Sequence, residues 1–455
     1  MKTYQDWLEV AERSEQERID FIQLLINEHK GSPEYAIALA GEDYYSGQNS
    51  TIKAYRKVLY NAQGQPIEDL TSANHRISTR FFYRDVTQAN AVLLGNGITW
   101  ENNKGGQALS GGEDFDKVII EAGRTAQVER VAFGFYNNGA VDIFKLLEFK
   151  PLYDEEDGAL KAGVRFWQIA PDKPMRATMY EIDGYTEYIY KNGKGEVLQP
   201  KRGYIAVVRQ SEADGTEILD YVNYPSFPIV PCWANDLKRS ELEPIRATID
   251  AYDLIQSGYA NDVDDANVIY WTITNAGGMD DADLVATINK LKKLHAAQTD
   301  DDQQMTPHQV EAPFQGREAI LARLEKTLYK DAMAFNPYDV ANGAITATQI
   351  EAAYDPLNQK LDIYEAQITN FIHRLLAFTG VEDTPSYTRS YNINKTEEIR
   401  AIMDAALVLD DEYMTEKIMT ILGDKDQIND VLARKAETDL NRMTGGTNNA
   451  NTQTE

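Results

Sequence analysis

The chain has 455 residues, 43% of them hydrophobic and 10% aromatic, apolar content enough for roughly two to four packed units and too high for a disordered polymer. Its formal charge of −27 argues against tight static binding to nucleic acid or to anionic membrane, because both need Lys and Arg to meet phosphate. A single cysteine, Cys232, excludes an intrachain disulfide framework, and no stretch reaches the roughly 18 apolar residues of a membrane span.

The first residues are charged throughout, unlike a signal peptide, so a soluble protein made in a reducing cytosol is expected. Residues 3–29 are expected as one amphipathic helix carrying Tyr4, Leu8, Ile19, Phe21, Ile22 and Leu25. Ser32-Pro33 opens a second helix, which ends in the glycine-bounded stretch Gly41–Gly47. A third runs from Asn74 to Leu94 and is closed by Gly95. Another covers residues 115–133, after which Gly134–Phe149 alternates like paired strands about an Asn137-Asn138-Gly139 turn. From Pro151 to Tyr224 the pattern is a strand meander with turns at Asp183-Gly184, Asn192-Gly193 and Asp214-Gly215.

Pro225, Pro228 and Pro231 then hold the backbone extended, and a short apolar run, Ile229–Trp233, ends at Asn235-Asp236. Cys232 sits in that run and reads as core filler rather than a nucleophile. Ser240 is the expected N-cap of a helix of about seven turns, with Glu243 as its capping-box partner and Leu242, Ile245, Ile249, Tyr252, Ile255 and Tyr259 as one stripe. A strand over 268–274, a short helix Asp281–Leu294, a polar loop Thr299–Pro307 and a second strand Gln309–Ala312 form a small β-α-β unit. A helix returns from Arg317 to Ala332, and a break follows at Phe335–Gly343. Thr346–Phe378 is a very long helix that Pro356 is expected to kink. Lys395–Arg442 is helical in pattern with breaks near Leu409–Asp411 and Gly423–Lys425, and residues 444–455 are expected to be disordered.

A long helix launched from a proline-braced strand into a β module resembles the portal proteins of tailed bacteriophages, the kind found in long-tailed phages of Gram-positive hosts. The family's block there reads Phe227-Pro228-Ile229-Val230-Pro231, then Asn235-Asp236, Ser240-Glu241-Leu242 and Thr248-Ile249-Asp250-Ala251-Tyr252. Pro228 stands where the family usually has Gly, and Asp236 replaces its second Asn. Tyr44-Tyr45-Ser46-Gly47 and the stretch from Asn74 to Leu93-Leu94-Gly95 match further family words. The ordered set covers residues of about 30 to 440.

The resemblance implies an α+β portal fold: wing 1–240, stem helix 241–267, clip 268–313, second stem helix 314–334, tunnel loop 335–344, long kinked helix 345–380, crown 381–443 and a tail 444–455. It further implies a ring of about twelve subunits at one capsid vertex that passes double-stranded DNA without sequence specificity. The implied partners are the terminase large subunit, a head-completion or adaptor protein, and the major capsid and scaffolding proteins, with no membrane, cofactor or catalysis of its own. Asn336, Tyr338, Asp339 and Asn342 would line the tunnel, with Asp339 the only charge in its loop.

The residues themselves offer little chemistry. No phosphate-binding G-x-x-x-x-G-K-[ST] loop occurs, and His29, His75, His295, His308 and His373 are scattered without zinc-binding spacing. Asp262, Asp264, Asp265 and Asp300–Asp302 could hold a divalent cation, although a solvated acidic face is the simpler reading. Lysines stand out against the acidic background: Lys290, Lys292 and Lys293 cluster in the expected clip, and Lys326 and Lys330 lie one turn apart on the returning helix. They are read as solvated positions or as a ring of cations facing phosphate or an acidic partner. The alternatives from other classes are an acidic intracellular carbohydrate-active enzyme and another phage head–tail connector component.

Overall fold

The computed structural model describes residues 2–61, 63–69, 72–109, 112–191, 193–211, 215–266, 269–274, 304–309, 314–338, 347–390, 410–422 and 430–436, with isolated positions elsewhere. Its elements, in chain order, begin with α1 (Tyr4–Ala11), α2 (Glu15–Lys30), α3 (Pro33–Tyr45), α4 (Ser50–Ala54), β1 (Val58–Tyr60), β2 (Pro66–Glu68), α5 (Phe81–Leu94), β3 (Ile98–Trp100), α6 (Gly105–Ala108) and α7 (Gly112–Glu129). A sheet region follows: β4 (Val131–Asn137), β5 (Ala140–Lys145), β6 (Phe149–Tyr153), β7 (Leu160–Trp167), β8 (Met175–Glu181), β9 (Gly184–Lys191), β10 (Lys194–Arg202), β11 (Ile205–Ser211), β12 (Gly215–Val222) and β13 (Ile229–Trp233). The remainder is α8 (Arg246–Ala266), β14 (Ile269–Thr274), β15 (Gln304–Gln309), α9 (Phe314–Asp331), α10 (Ala347–Thr379), β16 (Pro385–Tyr387) and α11 (Asp411–Leu422).

Two compact units result, Met1–Ala334 with Lys360–Thr388, and Phe335–Gln359 with Arg389–Glu455. In the first, the antiparallel sheet β10-β9-β8-β7-β6 is covered by α1 and α2, where Trp7, Ile22, Leu25 and Ile26 pack on Val164, Met179 and Tyr190. A second sheet, β13-β4-β5, shares with α3 a core of Phe133, Phe135, Phe144, Phe149 and Ile229. Pro231 is accommodated because β13 is an edge strand, so its missing N–H interrupts no further ladder. A third core joins α3, α5, α8 and α9 through Tyr44, Phe81, Phe82, Ile249, Leu328 and Tyr329. Each such side chain contributes about 1.5–3 kcal/mol by burial.

The turn at Asn138-Gly139 forms as read, both residues in the left-handed region at φ 51° and 95° that a two-residue hairpin requires. Several boundaries differ from the sequence expectation, each for a local reason. The expected helix 3–29 is two helices, because Ser14 caps α2, exchanging hydrogen bonds with Glu17 in a capping box. The expected helix from Asn74 begins only at Phe81, since residues 75–79 are not helical and the N–H groups of His75, Ile77 and Thr79 are bound to side chains of α8. The helix expected over 115–133 stops at Glu129, and Val131 begins a strand. Gly95 ends α5 with a right-handed φ of −64°, and the left-handed residue is Gly97 at 73°.

Ser240 does stand before the long helix and its N–H is taken by Glu243, but residues 241–245 form tight turns and regular helix starts at Arg246. Pro244 explains the delay: it donates no hydrogen bond and disfavours helical geometry at Glu243. A strand runs over Gln304–Gln309, where the sequence reads as a polar loop, pairing Trp271 with Pro307 and Tyr270 with His308, while residues 310–312 of the expected second clip strand lie outside the described residues. A two-stranded ribbon has only edges, which tolerate Pro307. The meander also splits, with β11–β12 forming a separate hairpin. Most of the expected helix 281–294 lies outside the described residues.

In the second unit, Phe335 stacks face to face on Tyr354 with ring centroids 3.9 Å apart, and Arg389 Nη1 donates to Asn358. Asp410 caps α11 by accepting the Tyr413 N–H, and Lys435 pairs with Asp411 at 3.0 Å. Pro356 lies inside α10, which is one continuous helix.

Candidate channel elements and the buried charge cluster

Helices α8 and α9 flank the β14–β15 ribbon in sequence and meet each other along their lengths. Arg317 closes a 2.6 Å ion pair with Asp262, and the backbone of Gly258 lies beside the Arg317 guanidinium. Asp264 is hydrogen-bonded to the His75 ring, so two of the three α8 aspartates considered for a cation are engaged by side chains of the chain itself. The Asp265 side chain and Asp300–Asp302 lie outside the described residues, and among the described residues no group of three His, Cys, Asp or Glu could hold a metal.

The opposite side of α8 is polar where a long helix ordinarily presents apolar residues. Asp253, Ser257 and Asn261 recur every fourth residue and are all buried. Their oxygens accept the N–H groups of Thr79, Ile77 and His75 at 3.0, 3.0 and 2.7 Å. The bonded N–H groups belong to alternate residues, 75, 77 and 79, so a four-residue helical repeat meets a two-residue repeat, and residues 75–79 are strapped along the helix.

Lys326 and Lys330 are exposed on α9. The structure adds Arg323, which is exposed at the same helical spacing and extends the pair to a basic stripe. Lys290, Lys292 and Lys293 lie outside the described residues, as do Asp339 and Asn342. Asn336 and Tyr338 are described: Asn336 Oδ1 accepts the Tyr338 N–H at 3.1 Å, a local turn that leaves Tyr338 at 64% exposure. Cys232 is fully buried, and burial pushes its thiol up to about 12, so it is inert core. His29 is likewise buried, its Nε2 2.7 Å from the Leu146 carbonyl, and burial lowers its pKa to about 4.

One cluster was missed in the sequence. Lys360 of α10 is buried and bonds both oxygens of Asp85 at 3.0 Å, the Ala332 carbonyl at 3.1 Å and Glu241 at 3.2 Å. Burial alone would lower the Lys360 pKa, but Asp85 and Glu241 outweigh it and hold the ammonium above its ordinary value. The cation therefore ties α5, the turn before α8, the end of α9 and α10 at one point. Its signal was available, since Lys360 falls between Leu357, Leu361 and Tyr364 in an apolar stripe. Next to it, a cavity of about 390 Å³ is lined by Gln127, Leu237, Arg239, Glu241, Lys360 and Tyr364. Tyr364 reaches its place because Gly123 of α7 carries no side chain, and its hydroxyl donates to Asn90 at 2.8 Å.

Residues 28–439, spanning every element from the end of α2 to α11, match the family described as Phage portal protein, SPP1 Gp6-like. The chain belongs to this family. The portal protein of Bacillus phage SPP1 is 23% identical over 426 residues, covering 84% of this chain and 79% of the relative. The portal protein of Clostridium phage phiCD119 is 28% identical over 188 residues, 38% of this chain and 41% of the relative. Among solved structures, the neck of an empty gene transfer agent particle, computed with C6 symmetry, gives a TM-score of 0.44 at 11% identity, covering 75% of this chain and 90% of that chain. The virion of a native gene transfer agent particle gives 0.41 at 11% identity, covering 75% and 89%. Membership makes the mixed helix-and-sheet architecture that of a virion head–tail component. Among the described residues, no helix is long and apolar enough to cross a membrane.

Proposed function

We infer that about twelve copies of this chain close into a ring at one capsid vertex, through whose axis the genome is packaged and later ejected. The observation that carries this reading is the family match over residues 28–439. The charge of −27 supports it physically, because acidic walls let a duplex slide without the counterion exchange that would make it stick. In this reading residues 1–240 form the wing, and α8 and α9 are the stem helices joined by a clip over 268–313. Residues 335–344 are the tunnel loop, 345–380 the long helix that braces it, and 381–443 the crown, with 444–455 a tail. The clip docks the terminase large subunit during packaging and a head-completion adaptor afterwards, while the outer parts meet capsid and scaffolding proteins.

Asn336, Tyr338, Asp339 and Asn342 face passing DNA, and Lys290, Lys292, Lys293, Lys326 and Lys330 meet phosphate or an acidic partner. The protein positions DNA and partners and catalyses nothing. Electron microscopy of the purified protein tests the ring directly: closed rings with an axial hole are expected, and a stably folded monomer at micromolar concentration would refute the assignment.

A further inference from the structure

Residues 335–359 form an excursion from the first unit, which the chain leaves after Ala334 and re-enters at Lys360. The two ends of the excursion meet at one atom. Lys360 Nζ donates to the Ala332 carbonyl, just before the exit, at 3.1 Å, and Lys360 is itself the first residue of the return. Asp85 and Glu241 hold the same ammonium from α5 and from the turn before α8.

The exit is closed in an uncommon way. The Ala334 N–H bonds the Tyr329 carbonyl at 3.0 Å and the Met333 N–H bonds the Lys330 carbonyl at 3.1 Å. Those two bonds finish a helix whose next residue is left-handed, a place that glycine ordinarily takes because a Cβ is strained there. Here the residue is Met333, at φ 52°. Such strain persists only where the surroundings over-determine it. The Ala332 carbonyl lies at the negative end of α9, and Lys360 places a buried cation on it, beside the strained residue.

We propose that Lys360 is the positioning residue of the tunnel segment: it holds the strained exit at Met333 and so sets where residues 335–338 leave α9, a role that rests on the reading of 335–344 as the tunnel loop. It acts through Ala332 and Met333 rather than on DNA.

The test uses Lys360→Met, Asp85→Leu, which leaves no stranded carboxylate on α5. The double variant is expected to form rings and to recover much of the stability lost by Lys360→Met alone. Hydrogen exchange at the Met333 and Ala334 amides is nevertheless expected to be at least tenfold faster than in wild type, and packaged DNA per ring at least tenfold lower. Adding Met333→Gly, which removes the strain and by itself leaves packaging unchanged, is expected to return packaging to within threefold of wild type. A buried charge with no positioning role gives wild-type packaging once stability is recovered, and that result overturns the proposal. Wild-type exchange at 333–334, or a packaging loss that Met333→Gly does not restore, overturns it as well. If the double variant does not fold, Glu241→Gln withdraws one charge from Lys360 while keeping an acceptor for Asn235. It is expected to speed the same amides at least threefold, and unchanged rates overturn the proposal. Asp339→Lys separates the two readings: wild-type packaging in that variant removes the loop from the channel, whereas exchange at Met333 and Ala334 reports on the Lys360 brace alone.

Discussion

At the scale of single residues, the consequential groups are buried charges. Lys360 is compensated by Asp85 and Glu241, and removal of one partner from such a group leaves the others desolvated and unpaired. Lys360→Met is therefore expected to destabilise the first unit by about 3–5 kcal/mol, read from urea unfolding. The double variant Lys360→Met, Asp85→Leu should recover much of that loss, because it removes the stranded carboxylate. Glu129 behaves differently. It is fully buried, accepts the Leu147 N–H at 3.0 Å and lies 3.9 Å from Lys145. Burial, and then the neighbouring Glu42, push its carboxyl well above the ordinary range. A carboxyl raised by folding contributes when protonated, so its contribution is present in acid and fades as pH rises through the folded value. Glu129→Gln, which keeps the acceptor for Leu147, is expected to unfold at a higher temperature than wild type at neutral pH. The difference should close toward the ordinary carboxylate range, and melting curves across pH decide it.

At the scale of elements, the strap on α8 shows side chains standing in for a neighbouring strand. Asp253, Ser257 and Asn261 each satisfy one N–H that residues 75–79 would otherwise leave to water or orphaned. Ser257→Ala removes the acceptor for Ile77 at a cost of about 1–3 kcal/mol locally. Hydrogen exchange should report this as faster exchange at Ile77 and its neighbours, while the amides of β6–β10 remain as protected as in wild type. Uniform loss of protection across the first unit would mean the strap is integral to its folding rather than a local attachment.

At the scale of the whole molecule, charge sets the expectations. Copies of a chain carrying −27 repel one another, and lowering salt from about 0.1 M to about 0.01 M lengthens screening from about 10 Å to about 30 Å. Ring assembly is therefore expected to weaken at low salt, and mass photometry over a salt series would show otherwise if rings persisted or increased. In the same reading the tunnel loop carries one charge, Asp339, that repels phosphate mildly. Asp339→Lys in every subunit would put about twelve cations against the duplex and slow or stall packaging without preventing assembly. Packaged-DNA yield measured beside ring yield checks this, and wild-type packaging would remove the loop from the channel.

Much of this was legible along the chain. Ser32-Pro33, Asn138-Gly139, the Ile229–Trp233 strand and the apolar stripes of α8 and α10 depend on neighbours a few residues away, so their local chemistry dictates them. The ordered motifs from Tyr44 to Tyr252 likewise sufficed to place the chain in its family. Folding in three dimensions decided the rest, because the deciding partners are distant in sequence. Residues 75–79 have a helical pattern yet form no helix, since Asp253, Ser257 and Asn261, far along the chain, accept the N–H groups of Thr79, Ile77 and His75. Lys360 reads as an intrusion in an apolar stripe until Asp85 and Glu241 arrive beside it from other elements. Periodicity records which face of an element is buried, but the identity of the group that meets a buried charge or an unpaired N–H is a property of packing alone.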